Sequence, residues 1–175
     1  MPRTQQMKEY LSDFEKQLKE ERLKRIKMIY EDDWKKAAEI LKTALGAFML
    51  KEDTGVFVLS YLRTSCITGS HEFLLSYYEE EPFIEEQPQE ITVNMSPLFA
   101  GVEEDFEILN QYLSGNFIRI FPYEKEEIRR WYLLELYQNM GDIVTEIIER
   151  IPTGQERILY FGGYMEGDLK EAGQI

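Results

Sequence analysis

Apolar side chains recur every three or four positions from residue 3 to about residue 30, at Met7, Tyr10, Leu11, Phe14, Leu18, Leu23, Ile26 and Tyr30, among residues that favour helix. The spacing predicts an amphipathic helix over residues 1–30. Its phase slips between Leu18 and Leu23, where Glu21 and Arg22 occupy the apolar slot. A coiled-coil seam over the whole length is therefore not expected, and the stripe reads as packing onto the rest of the chain. Glu31, Asp32 and Asp33 suit the positive N-terminal end of a second helix. Trp34, Ala37, Ala38, Leu41, Leu45 and Phe48 follow on one face of it, up to about Lys51. Asp53, Thr54 and Gly55 signal a turn. Beyond them Val56, Phe57, Leu59 and Leu62 fit a short buried helix capped by Thr54, and a buried strand nearly as well.

After a break at Thr68, Gly69 and Ser70, residues 72–78 are rich in aromatics and residues 90–94 alternate polar and apolar as a half-buried strand does. A small antiparallel β element around residues 71–95 is predicted. The glutamates would sit at its turn or edge, where charge discourages pairing with other molecules. Ser96 and Pro97 open a helix whose apolar face is Leu98, Val102, Phe106, Leu109 and Leu113, closed by Ser114 and Gly115. Residues 117–121 read as an extended link. The longest helical pattern then runs from Tyr123 to about Ile151, with a kink expected at Gly141. Residues 157–164 are compatible with strand or helix, and residues 168–175 are expected to fray. The sum is an α+β chain, predominantly helical, with four or five helices; an all-α bundle is the alternative. No repeat or flexible linker divides it, so residues 1–175 read as one domain.

Composition adds compartment and charge. At 43% hydrophobic and 13% aromatic residues, the chain is apolar enough to fold despite 30% charged residues. Cys66 is the only cysteine, which excludes an intrachain disulfide and any zinc site built on two of the chain's own thiolates. The first residues lack the apolar core of a secretion signal, and no apolar run approaches the ~20 residues of a membrane span. A cytoplasmic protein is expected.

The net charge of −13 is unevenly spread. Residues 1–30 hold eight Lys or Arg against five Asp or Glu, whereas residues 64–118 contain no Lys or Arg at all. In that interval Glu79, Glu80, Glu81, Glu85, Glu86, Glu103, Glu104, Asp105 and Glu107 form two acidic groups. Such a body repels phosphate backbones, so direct nucleic-acid binding by it is disfavoured and a basic protein surface is the expected partner. Solvated carboxylates are the plainer reading of such runs. Their spacing matches no calcium loop, and no metal or cofactor is expected.

Candidate chemistry concentrates in residues 63–72, where Arg63, Cys66, His71 and Glu72 bring together the only cysteine, the only histidine and the one cation of the region. A thiolate nucleophile needs a neighbouring cation or base, and a turn at Gly69 would supply one by folding Arg63 or His71 onto Cys66. A phosphate-cradling cysteine loop fails, because Glu72 stands where its arginine belongs. A zincin fails, because position 75 is Leu and the chain has no second histidine. The competing reading is a buried, inert Cys66 and a turn histidine.

The leading functional expectation is an acidic regulatory, inhibitory or interaction protein docking a basic surface. The rival is a small enzyme or ligand-binding domain using residues 63–72. A homo-oligomer formed through the N-terminal helix, or through the face of Trp131, Tyr132 and Tyr137, is a further reading. So is a detachable basic arm over residues 1–30, although its eight exposed apolar side chains would invite aggregation. Arg129 and Arg130 read as intrachain partners for the acids.

Overall fold

A computed structural model describes residues 2–28, 31–48, 55–79, 81–82, 88–151, 157–164 and 168–175. Two helices lead, α1 (Arg3–Met28) and α2 (Glu31–Gly46), followed by strand β1 (Val56–Tyr61) and a short helix α3 (Arg63–Thr68). Strands β2 (Glu72–Tyr78) and β3 (Gln89–Asn94) form the antiparallel pair expected around residues 71–95. A 3-10 turn (Ser96–Phe99) leads to α4 (Val102–Ser114), then come α5 (Pro122–Gln138), α6 (Gly141–Ile148), and strands β4 (Ile158–Gly163) and β5 (Lys170–Gln174).

The β element is larger than the sequence suggested. It is one five-stranded sheet in the order β3-β2-β1-β4-β5, with β1 and β4 parallel and the other neighbours antiparallel. Among the described residues the class is α+β with six α-helices, and the all-α alternative does not hold. Three segments account for the difference. Residues 56–61 are strand, their β-branched and aromatic side chains settling the ambiguity in favour of a central, two-sided strand. Residues 158–163 are strand too. Residues 170–174, expected to fray, pair with β4 instead and bring Ala172 and Ile175 into the core.

In-register side chains build the inner face of the sheet: Val93, Phe73 and Tyr61 lie across β3, β2 and β1, and Ile91, Leu75, Leu59 and Phe161 across four strands. Apolar side chains of the helices complete the core, chiefly Leu109 and Leu113 of α4, Tyr132, Leu133, Leu136 and Tyr137 of α5, and Ile143, Val144 and Ile147 of α6. The long helix expected from Tyr123 to Ile151 is two helices, interrupted at Asn139 and Met140 rather than kinked at Gly141. The helix expected to start at Ser96 is also divided, at Gly101, whose φ of 81° a residue with a Cβ adopts only under strain. Its missing Cβ also makes room for Arg22, which a built Cβ would meet at 2.8 Å.

Helix α1 is a packed element. Met7 and Leu11 have no exposure, and the buried stripe continues through Glu15, Arg22 and Ile26. It runs alongside α5 in the same direction, with Lys8 3.0 Å from Glu127 and Lys19 3.2 Å from Glu135, and antiparallel to α4. The phase slip is thereby resolved: Arg22 fills the apolar slot as a paired charge. Its Nε and Nη2 donate to the two oxygens of Asp105 at 2.8 and 2.7 Å, and its remaining N–H groups donate to Ala100 O at 3.0 Å and Gly101 O at 2.6 Å. Tyr132 OH donates to the same carboxylate at 2.7 Å. Paired and hydrogen-bonded in this way, two charges are tolerated inside.

Candidate functional site

Residues 63–72 carry the only cysteine and the only histidine of the chain. Helix α3 leaves β1 at Leu62 and stops at Gly69, which is left-handed (φ 68°) and returns its N–H to Ser65 O at 2.8 Å. A Cβ at Gly69 would stand 2.5 Å from Arg129 Nη2, so glycine is required for conformation and for space. His71 follows, also with positive φ (53°), stacked on Phe99 with ring centroids 4.3 Å apart, its Nδ1 2.7 Å from Tyr137 OH.

Cys66 is buried, its thiol is pushed up to about 11 chiefly by desolvation, and its sulfur points to Leu62 O of its own helix at 3.8 Å. The charge of Arg63 pulls the other way and loses to burial. His71 is held down at about 4, first by burial and then by the charge of Arg129, and its Nδ1 is spent on Tyr137. Both shifts disfavour the charged forms, thiolate and imidazolium, on which nucleophilic catalysis draws. Glu72 is exposed and accepts a hydrogen bond from Ser70 Oγ at 3.1 Å. Arg63 also faces outward, toward α5.

Among the described residues the two acidic groups do not converge. Glu80, Glu85 and Glu86 lie outside the described residues. Glu79 and Glu81 are exposed beyond the C-terminal end of β2, while Glu103, Glu104, Asp105 and Glu107 belong to α4, which follows the strand paired with the other end of β2. The two groups are separated by roughly 20 Å of strand. Asp105 is only 2% exposed and committed to Arg22, so it belongs to the core and not to a docking face. Glu103 is ion-paired with Arg129, as expected for that arginine. Glu104 and Glu107 remain solvent-facing on α4.

Of the face of Trp131, Tyr132 and Tyr137, only Trp131 reaches the surface; the two tyrosines have no exposure. Burial and its hydrogen bond to Asp105 drive the Tyr132 phenol well above the usual tyrosine range, and burial does the same for Tyr137. Both stay neutral and serve as core aromatics.

A surface that the sequence reading missed lies where α1 meets α4. Phe14 stacks on Tyr112 with centroids 4.2 Å apart and planes within 9°, Tyr10 stacks on Tyr112 at 5.3 Å, and Phe117 meets Tyr10 edge-on at 5.7 Å. Asn116 Nδ2 donates to Tyr10 OH. Tyr10 is 38% exposed and Tyr112 41%, and Ile108, one turn before Tyr112, is 40% exposed. The i, i+4, i+8 spacing of Glu104, Ile108 and Tyr112 puts them on one face of α4, and Tyr10, Asp13 and Phe14 share a face of α1. The signal was present in the sequence: Ile108 and Tyr112 are apolar residues off the buried 102-106-109-113 track.

Among the described residues, no three of His, Cys, Asp and Glu come together as a metal site requires, and no helix is long and apolar enough to cross a membrane. The chain matches no protein-family model, no curated protein and no solved structure.

Proposed function

We propose that the chain is a regulatory or inhibitory interaction protein, and that it docks a basic partner through the α1/α4 face. The observation that carries this reading is the half-exposed row of Tyr10, Phe14, Tyr112 and Ile108 with Asp13 and Glu104 beside it. Single exposed apolar residues are ordinary; a contiguous aromatic patch with a polar rim is the usual anatomy of a protein-binding site. Tyrosine contributes large area at low entropic cost, and stacking holds these rings in place before binding.

The charge arrangement supports a cationic partner. Lys8, Lys19 and Lys27 are turned to the opposite flank of α1, onto Glu127, Glu135, Asp142 and Glu146 of α5 and α6. The carboxylates beside the aromatic row, together with the net charge of −13, would steer a basic surface toward it. Asp105 drops out of this face, and the weight moves from the glutamates near β2 to the helix pair.

Affinity capture from the native cell, with the wild-type chain and an Ile108→Ser/Tyr112→Ser variant as parallel baits, tests the proposal. A basic partner retained by the wild type should bind the variant about tenfold or more weakly, since central aromatic contacts are worth roughly 2 kcal/mol. Its association with the wild type should slow as salt is added. Equal capture by both baits would overturn the assignment.

A further inference from the structure

Between α4 and α5 the chain passes through residues 117–121, which are apolar except for Arg119. Phe117 and Ile120 pack against the core. Ile118 does the opposite: it is 106% exposed, and Tyr123, in the first turn of α5, is 62% exposed. No other large hydrophobic side chain among the described residues stands so far into solvent. A single exposed apolar residue is ordinary, but these two flank Phe121, whose ring stacks on Tyr123 with centroids 5.8 Å apart. Two guanidiniums lie over the same ring, Arg119 at 4.9 Å and Arg3 at 5.5 Å from its centroid. The link is tied down at three points. Phe117 N–H donates to Leu113 O at 2.9 Å, Arg3 Nη2 donates to Arg119 O, and Phe121 N–H donates to Glu124 Oε2 at 2.8 Å. Its charges are few. Glu124 is fully buried with Arg3 Nη1 3.3 Å from its Oε1, a neutral pair, and the exposed Lys125 and Glu126 cancel in sum. Arg119 is left, with no carboxylate partner among the described residues.

We propose that residues 117–123 form a tip that enters the interface of a zwitterionic phospholipid bilayer. Ile118 reaches the upper acyl methylenes, Phe121 and Tyr123 lie at headgroup level, and the Arg119 guanidinium meets a lipid phosphate. An aliphatic apex, aromatic rings behind it and a cation beside them repeat the order of apolar, intermediate and charged layers that a bilayer presents. Guanidinium is the side chain whose fork matches phosphate. The net charge of −13 decides the kind of lipid, since an anionic surface would repel the body of the chain, whereas phosphatidylcholine offers its phosphates without net charge. With one apex and one free cation, the attachment is weak and reversible.

The test is co-sedimentation of the full chain with sucrose-loaded vesicles of phosphatidylcholine at rising lipid concentration. The wild type should bind. Ile118→Asp, a change at a fully exposed position that leaves the fold intact, should weaken binding about tenfold or more, as loss of one buried isoleucine does, and Ile118→Leu should restore it. Arg119→Gln should weaken it about two- to fivefold, as removal of an exposed ionic contact does. Ile108→Ser, on the α1/α4 face, should bind as the wild type. Replacing part of the phosphatidylcholine by phosphatidylserine should reduce binding. In Ile118→Trp, bromine on the upper acyl carbons should quench the added indole beyond any quenching of the two native tryptophans. A wild type that stays in the supernatant, or Ile118→Asp bound as well as the wild type, would overturn the proposal. So would an unquenched indole, the result expected of a tip that serves only to contact protein, or stronger binding to the vesicles containing phosphatidylserine.

Discussion

Arg22→Met is the perturbation that most sharply probes how α1 is held. Methionine fits the slot in length and apolarity but offers no donor. Asp105, 2% exposed, would keep Tyr132 OH as partner and lose both bonds from the guanidinium, and Ala100 O and Gly101 O would lose theirs. Breaking one side of a buried ion pair costs about 3–5 kcal/mol, because the partner charge stays behind without compensation. In a chain of this size that corresponds to a fall of roughly 6–20 °C in Tm. Replacing both partners, as Arg22→Met/Asp105→Leu, removes the stranded charge and should recover much of the loss, leaving the unpaired Tyr132 hydroxyl and two carbonyls as the residue. Urea unfolding followed by circular dichroism gives the full double-mutant cycle. A loss under about 1 kcal/mol for Arg22→Met, or a double variant as unstable as the sum of the singles, would refute the reasoning.

Three further outcomes follow from the same structure. Cys66 in the native chain should react with iodoacetamide at neutral pH far more slowly than a free thiol, since a thiol raised from 9 to about 11 holds roughly a hundredfold less thiolate; reaction at the free-thiol rate would contradict its burial. His71 is depressed from 6.5 to about 4, so its neutral form is compatible with the fold above pH 6.5, and stability is lost as pH falls from there toward 4, by roughly 3 kcal/mol in all. His71→Asn, which tolerates the positive φ, should flatten that part of the urea-midpoint profile, and an unchanged slope would count against the assignment. Glu15 is raised by burial, and Lys19 at 3.6 Å offsets this only in part, so Glu15→Gln should increase the urea midpoint at neutral pH and lose that advantage in acid; a lower midpoint at neutral pH would show that the pair with Lys19 outweighs desolvation.

How much could be read beforehand depended on how local the determinant is. The helical stripes of α1 and α4 and the antiparallel β2/β3 pair follow from spacing and residue type over a few turns. The parallel pairing of β1 with β4 does not, because about a hundred residues separate Val56 from Ile158 and nothing in either strand announces its partner. The same holds for β5: Lys170, Glu171 and Gln174 look like a solvated tail until β4 supplies a ladder. At the candidate sites, Asp105 was grouped with its acidic neighbours because a charge run is normally exposed, although the cation that draws it inward was visible as Arg22 out of phase in the first helix. Ile108 and Tyr112 were likewise visible as apolar residues on the wrong side of α4. Their stacking with Tyr10 and Phe14 required the antiparallel placement of α1, which the sequence leaves open.

Chemical footprinting of the chain alone and with its captured basic partner examines the docking assignment most directly. Protection on binding should fall on Tyr10, Phe14, Ile108 and Tyr112, with Tyr123 and Tyr164, which are exposed elsewhere, unchanged. Protection confined to β2 and β3, or to α3 and α5, with the α1/α4 aromatics as reactive as in the free chain, would contradict it.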